Sequence, residues 1–161
     1  MKARQLLLFG GIALALLGMS HGLWYAIFAE HQALDGIGQS LSLSFQASAH
    51  RNTAEAEKAL LQYREAKYAY DRMVDVHGHW IGLSMLLIIL AIGFDRLAIS
   101  NQRKLLLAWS LLLGTGLFPL GVLMQTWSHA PGPKAVAVLG SALVTAAVAG
   151  TAFSFLRRQG A

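Results

Sequence analysis

The amino-acid sequence predicts an all-α integral membrane protein, a four-helix bundle of up-down-up-down topology with an extramembrane helical extension of its second helix. Hydrophobic residues make up 55% of the 161 residues, and charged residues make up 13%, about half the usual share for soluble domains. The apolar residues form four runs, each long enough to cross hydrocarbon, which takes roughly 20 residues. One long polar stretch separates the first two runs. These observations predict a single membrane domain over residues 1–161.

Composition also excludes several kinds of site. The sequence contains no cysteine, which rules out disulfides, thiolate chemistry, iron–sulfur clusters and cysteine-based zinc sites. The net charge is +5, but the basic residues gather at the ends of the apolar runs. That placement is typical of membrane topology signals, so the charge does not indicate nucleic-acid binding.

The first apolar run predicts a transmembrane helix over residues 5–29. Lys2 and Arg4 precede it, as in a signal peptide. However, the apolar stretch continues beyond Leu17 to Phe28, which is too long for the hydrophobic region of a signal peptide, and no small-x-small cleavage site follows cleanly. We therefore expect the segment to be retained as a membrane helix.

The polar region over residues 30–76 holds most of the acidic residues. Its glycines and serines predict a loop or short helix over residues 35–48. Asn52 followed by Glu55 is a capping-box pattern, which predicts a helix from Thr53 onward. Larger or apolar residues then recur at steps of three and four, which places them on one helix face: Leu60, Tyr63, Ala66, Tyr70, Met73 and His77. A helical stalk over 53–76 should run unbroken into the second transmembrane helix.

The other three apolar runs predict transmembrane helices over residues 77–97, 105–127 and 135–156. Pro119 should kink the third helix, because proline removes one helical hydrogen bond. In the fourth helix small residues recur every four positions, a pattern that lets helices approach closely: Ala142, Ala146, Gly150 and Ser154.

Charges in the short segments predict the orientation. Basic residues cluster on one side of the predicted bundle: Lys2, Arg4, Arg96, Arg103, Lys104, Arg157 and Arg158. The short connection on the other side carries only Lys134. The positive-inside rule then places both termini in the cytoplasm and residues 30–76 outside, as expected for a bacterial inner membrane. Tryptophans at the outer ends of three helices agree with this orientation: Trp24, Trp80 and Trp127.

Histidines are the candidate functional residues. His21, His77, His79 and His129 map to the outer ends of three different helices, and ionisable groups near membrane depth are a functional hypothesis by default. At the rise of an α-helix, His21 and His79 stand about 24 and 25 Å above the inner boundary, so they can face each other across two adjacent helices. His77 lies about 200° around the helix from His79, so only one of the two can face that partner, and His77 could take that position in place of His79.

Small residues beside these histidines favour a flat, bulky ligand. Two glycines four residues apart lie on either side of His21 and of His79. They are Gly18 and Gly22 for His21, and Gly78 and Gly82 for His79. Two imidazoles facing each other among glycines are what a six-coordinate haem b needs. Side chains near the outer surface could hold the propionates: His129, Arg72, Lys134 and Trp80. Such a protein would transfer electrons to a redox partner or quinone, or sense redox state or a gas.

Two other interpretations stay open. His21 and His79 could bind copper or zinc instead, since imidazole suits both ions, with further ligands from His129 and from Met124 or Asp75. Alternatively, the chain is a non-catalytic subunit or scaffold, a homo-oligomer or a member of a membrane complex, whose stalk binds a partner. The tyrosines of the stalk would then be the contact residues: Tyr63, Tyr68 and Tyr70.

The stretch from His77 to Leu87, HGHWIGLSMLL, resembles the His-x-His helix start of small four-helix bacterial membrane proteins of uncharacterised function. It is also similar to the histidine-bearing helix in the catalytic subunits of haem-copper oxidases and nitric oxide reductases. In those enzymes such a histidine binds a low-spin haem, so the resemblance implies haem ligation by His79. This chain has too few helices and lacks the histidines of a second metal centre. Oxygen or nitric oxide reduction is therefore not implied.

Overall fold

A computed structural model of the chain describes residues 2–159, with side chains up to residue 156. Arg157 and Arg158, which the sequence analysis placed at the end of the last helix, have side chains outside that description. The described residues form five α-helices and one 3₁₀ turn, without β-strands. Their bounds are α1 Ala3–Phe28, α2 Glu30–Ala49, α3 Thr53–Gly93, α4 Asn101–Met124 and α5 Pro131–Gln159, with the 3₁₀ turn at Phe94–Arg96.

The all-α prediction is confirmed, and four of the helices are long and apolar enough to cross a membrane. These are α1, α3, α4 and α5, which correspond to the four predicted runs. Their ends differ by a few residues from the predicted ranges because caps and packing set the helix ends. Ser100, for example, caps α4 through a hydrogen bond from the Arg103 backbone amide to its hydroxyl oxygen at 3.4 Å.

The polar segment after α1 forms a helix of 20 residues, α2. A single residue, Ala29, separates it from α1 with φ −128° and ψ −32°. The expectation of a loop or short helix over 35–48 therefore understated the helical structure. Its serines do not break the helix because they bond to their own backbone, as in the 2.8 Å bond from the Ser40 hydroxyl to the Gly36 carbonyl oxygen.

A tight turn joins α2 to α3. Asn52 caps α3 by accepting a hydrogen bond from the Glu55 backbone amide at 3.3 Å, and its side-chain amide donates to the Glu55 carboxylate at 2.8 Å. Arg51 has a φ of 56°, the left-handed conformation that ends many helices. We call α2 together with residues 53–76 of α3 the polar hairpin.

The interface between the two helices of the polar hairpin consists of small residues. Ser40 and Ala47 of α2 and Ala59 of α3 are buried there. The Ser44 hydroxyl of α2 donates a hydrogen bond to the Ala56 carbonyl oxygen of α3 at 3.3 Å. Small side chains let the two helices approach closely. The exposed larger apolar residues of α2 lie outside this interface.

Helix α3 is far longer than one membrane crossing. Its 41 residues extend roughly 60 Å, whereas the hydrocarbon core is about 30 Å thick. Charged residues occur throughout its first half, from Glu55 to Asp75, and none occurs between Val76 and Gly93. Only the second half has the composition of a membrane span.

Helices α1, α3 and α4 enclose the main core. Leu7, Leu87, Leu111 and Phe94 are fully buried in it near the start of α1. Along α1, Gly11 lies against Ser84 and Leu87 of α3, which brings the two backbones close together. A second cluster lies toward the polar hairpin and consists of Val76, Trp80, Val122 and Ala137.

Helix α5 packs chiefly against α4. Gly121 lies against the backbone of Ala137, Gly140 lies against the backbone of Phe118, and a Cβ on Gly114 would meet the Gly140 carbonyl oxygen at 2.7 Å. The small residues that recur every four positions in α5 do not all face the other helices. Gly150 and Ser154 face the described helices, whereas Ala142 and Ala146 are exposed and line a groove of about 640 Å³ beside Phe118.

Candidate functional site

His21 is the most unusual of the candidate residues. Its imidazole ring lies edge-on against Trp80 at 5.8 Å and near Trp24 at 6.2 Å. Both ring nitrogens are buried, and neither has a hydrogen-bond partner among the described residues. A neutral imidazole carries one donor and one acceptor, and leaving either unsatisfied in a buried place costs about 1–3 kcal/mol.

His77 is the α3 histidine that faces α1. Its Nδ1 lies 3.3 Å from the Gly18 carbonyl oxygen, and its ring fills the space beside Gly22. If Nδ1 carries the proton, it donates to that carbonyl and leaves Nε2 as the free acceptor. His77 therefore occupies the position opposite α1 that the sequence analysis gave first to His79 and then to His77 as its replacement.

His79 lies on another face of α3. Its Nδ1 is 2.6 Å from the Asp75 carbonyl oxygen, and its ring packs edge-on against Phe118 of α4 at 4.7 Å. Two residues along a helix correspond to about 200° of rotation, which separates His79 from His77 as expected. The contacts of His21 are with Trp24 and Trp80, so the two predicted axial ligands have different neighbours.

The glycines that bracket the two histidines also differ. Gly18 and Gly22 lie in the α1–α3 interface, where a Cβ on Gly18 would meet the Trp80 Cβ at 2.8 Å. Gly78 and Gly82 are exposed, and a Cβ on either would meet no heavy atom within 4 Å among the described residues. Only the pair on α1 therefore serves close helix packing.

Side chains of α3 fill the α1–α3 interface beside the two glycines of α1. Axial ligation by two histidines requires them to face each other across the thickness of a porphyrin. Trp80 and His77 instead fill the interface at Gly18 and Gly22. Binding a haem at His21 would require α1 and α3 to separate there.

Two of the further ligands suggested for copper or zinc, His129 and Asp75, have partners within the chain. Within residues 2–159, no group of three or more histidines and carboxylates is placed to hold a metal ion. His129 lies 3.6 Å from the Glu65 carboxylate and packs on the Tyr68 ring at 5.4 Å. The Asp75 carboxylate pairs with Arg72 at 3.2 Å.

Two further unpartnered polar atoms lie at the same end of the α1–α3 pair as His21. Trp80 and Tyr25 are both more than nine-tenths buried, yet the Trp80 Nε1 and the Tyr25 hydroxyl form no hydrogen bond among the described residues. Tyr25 packs beside Tyr70 of α3, with ring centres 6.3 Å apart. Buried polar groups in proteins are normally hydrogen-bonded, so this end of the α1–α3 pair has an unmet capacity to bind a polar ligand or water.

The polar hairpin exposes a second candidate surface that the sequence analysis missed. Phe45 is 68% exposed and Leu34 is 47% exposed, on a segment too polar to be a membrane span. Leu34, Gly38, Leu41 and Phe45 follow steps of four, three and four residues, which places them on one face of α2 as a heptad-like seam. We call these four residues the α2 seam. The spacing is visible in the sequence once α2 is known to be helical.

Two of the three tyrosines suggested as contact residues form hydrogen bonds within the chain. The Tyr68 hydroxyl donates a hydrogen bond to the Gln125 side-chain oxygen at 3.3 Å, and Arg72 lies over the Tyr68 ring. The Tyr70 hydroxyl lies 3.5 Å from the Glu30 carboxylate. Tyr68 thus joins the polar hairpin to the end of α4, and Tyr70 joins the two helices of the hairpin to each other, while Tyr63 is partly buried.

Comparison with protein-family models, with curated proteins and with solved structures found no match to this chain.

Proposed function

We propose that the chain is an integral protein of a bacterial inner membrane, with α1, α3, α4 and α5 crossing in up-down-up-down order. Four helices of membrane-spanning length and composition support this proposal. The excess of lysine and arginine near the starts of α1 and α4 supports cytoplasmic termini. The polar hairpin then stands on the outer side of the bilayer.

Within that membrane, we propose that the protein is a non-catalytic subunit that docks a helical partner through the α2 seam. The exposure of Leu34 and Phe45 in a line along a segment outside the hydrocarbon is the observation that carries this proposal. Apolar stripes of this kind on water-exposed surfaces usually mark interaction sites. The interface between the two helices of the hairpin buries small residues, so Leu34 and Phe45 of the α2 seam remain exposed.

The occupant that fits the seam best is a second copy of the chain. Two copies related by a twofold axis along the membrane normal would bring the same residues together at the same height. Two polar hairpins would then form a four-helix bundle outside the membrane, with Leu41 and Phe45 in its core. A Cβ on Gly38 would meet no heavy atom within 4 Å among the described residues, so Gly38 would let the seams of two copies approach closely.

Cysteine cross-linking in native membranes tests this docking, because the natural chain has no cysteine. Oxidation of Phe45→Cys should give a disulfide-linked dimer as its main product, since the seam residues of two copies would face each other. Gln46→Cys is the matched control, because it lies on the same turn about 100° away and is exposed. Equal dimer yields at the two positions would contradict a specific seam. A discrete adduct of Phe45→Cys with another protein would replace the second copy as the partner.

Ligand binding at His21, with haem b as the first candidate and copper or zinc as the alternatives, is the second function we propose. Its support is the pair of unpartnered ring nitrogens of His21, with the unpartnered Trp80 Nε1 nearby. The expected roles are electron transfer with a redox partner or quinone, or sensing of redox state or a gas. Haem ligation by His79 would require rearrangement around Phe118 as well.

An absorption spectrum of the purified full chain, oxidised and then reduced with dithionite, tests the haem proposal. A bis-histidine haem should give a Soret band and a sharp reduced α band, and His21→Ala and His79→Ala should each abolish them. His31→Ala is the control, because His31 is exposed and lies on the polar hairpin. Full haem content in His21→Ala and His79→Ala would rule out these ligands. A colourless protein containing copper or zinc by elemental analysis would favour the metal alternative.

A further inference from the structure

A cavity of about 530 Å³ lies where α1 and α4 begin, at the end of the molecule opposite the polar hairpin. Its lining combines two basic, two amide and one acidic side chain with two apolar residues, Ala3 and Leu105. The residues that matter here are Lys2, Asn101, Gln102, Lys104, Asp95 and Leu105. Neither of the proposed functions uses this cavity.

The charges in the cavity favour an anion. Lys104 donates a hydrogen bond to the Asp95 backbone carbonyl at 2.7 Å, so its positive charge is not neutralised by that bond. The Asp95 carboxylate is the one acidic side chain of the lining, and Arg4 pairs with it at 3.7 Å. Lys2 forms no ion pair among residues 2–159. The cations Lys2 and Lys104 therefore remain available to a negatively charged group.

Backbone groups add to the positive potential at the same place. Helix α1 begins at Ala3 and α4 begins at Asn101, and both residues line the cavity. The first amides of a helix point outward and carry partial positive charge. The partial positive charge of the two helix N-termini thus adds to the full charges of Lys2 and Lys104, which are the main attraction for an anion.

An apolar surface adjoins the charged cavity. A second cavity of about 340 Å³ shares Lys2 and Asp95 with the first, and Leu8 and Phe9 line its other side. Phe9 is 63% exposed and lies seven residues beyond Lys2, or about 10 Å along the helix. The combined surface is therefore cationic at the end of the span and apolar deeper along it.

We propose that this surface binds an anionic phospholipid, with its phosphate between Lys2 and Lys104 and an acyl chain along Leu8 and Phe9. Basic pockets between transmembrane helices on the cytoplasmic side are suited to acidic lipid headgroups. A free phosphate ion shares the headgroup chemistry but would make no use of the apolar surface. The lipid would join the start of α1 to the start of α4 on the inner leaflet.

Native mass spectrometry of the full chain, titrated with phosphatidylglycerol in a phosphatidylcholine background, tests the proposal. Each lysine near an acidic headgroup contributes about 1 kcal/mol, so Lys2→Gln/Lys104→Gln should bind phosphatidylglycerol roughly thirtyfold more weakly than the natural chain. Lys2→Arg/Lys104→Arg should keep the binding, because it keeps both charges. Lys58→Gln/Lys134→Gln, which removes two exposed lysines from elsewhere on the molecule, should also keep it.

Three results would overturn the proposal. The first is equal phosphatidylglycerol binding by Lys2→Gln/Lys104→Gln and the natural chain. The second is an equal loss in Lys58→Gln/Lys134→Gln, which would indicate general charge attraction. The third is displacement of the lipid by an equimolar concentration of inorganic phosphate, which would assign the site to the free anion. Helical circular dichroism and a single gel-filtration peak establish that each variant is folded before it is titrated.

Discussion

Replacing Gly140 by alanine should cost the protein about 2 kcal/mol of its free energy of unfolding, the size typical of overpacking in a close-packed interior. An added Cβ would lie 2.7 Å from the Phe118 Cα, a distance that real Cβ atoms essentially never show. Backbone cannot move aside as a flexible side chain can, so α4 and α5 would have to separate. The gain in helix propensity from glycine to alanine, about 1 kcal/mol, opposes the loss without cancelling it.

Gly116→Ala is the matched control for this prediction. Gly116 lies within α4, and a Cβ there would meet no heavy atom within 4 Å among the described residues. Gly116→Ala should therefore leave the free energy of unfolding unchanged or raise it by up to about 1 kcal/mol through helix propensity alone. Unfolding of both variants in mixed micelles with increasing SDS measures the difference. Equal stabilities of Gly140→Ala and Gly116→Ala would contradict the backbone contact between α4 and α5.

Replacing His21 by phenylalanine should stabilise the ligand-free protein by about 1 kcal/mol. The imidazole buries two nitrogens without partners, whereas phenylalanine fills a similar volume with no polar atom to satisfy. The ring would keep its edge-on contact with Trp80. A buried polar residue that lowers stability is a common feature of ligand sites, where function and stability are in conflict.

His79→Phe provides the contrast. It removes the hydrogen bond between Nδ1 and the Asp75 carbonyl oxygen, so it should lower the free energy of unfolding by about 1 kcal/mol. Thermal unfolding of the purified, colourless and metal-free variants compares the two. A loss of stability in His21→Phe under those conditions would mean that the imidazole is satisfied by water. Loss of a bound ligand together with stability would instead assign His21 as its ligand.

The sequence by itself determined the helical class and the positions of the four apolar helices. Hydrophobic runs of this length have few alternatives, because backbone groups in an apolar environment must be satisfied within the helix. The start of α3 at Thr53 was predictable for a local reason, since Asn52 and Glu55 form a cap whose partners are three residues apart. Helical rotation also separated His77 from His79 correctly.

Properties that depend on distant residues were decided only by the tertiary structure. Helix α2 has glycines and serines that favour a loop locally, yet packing against α3 holds it helical over 20 residues. The sequence placed His21 and His79 at one depth, but the rotation of each helix about its axis sets which way a side chain faces. Those rotations follow from contacts such as Gly18 against Trp80 and His79 against Phe118, which are set by close packing between helices rather than by spacing along the chain.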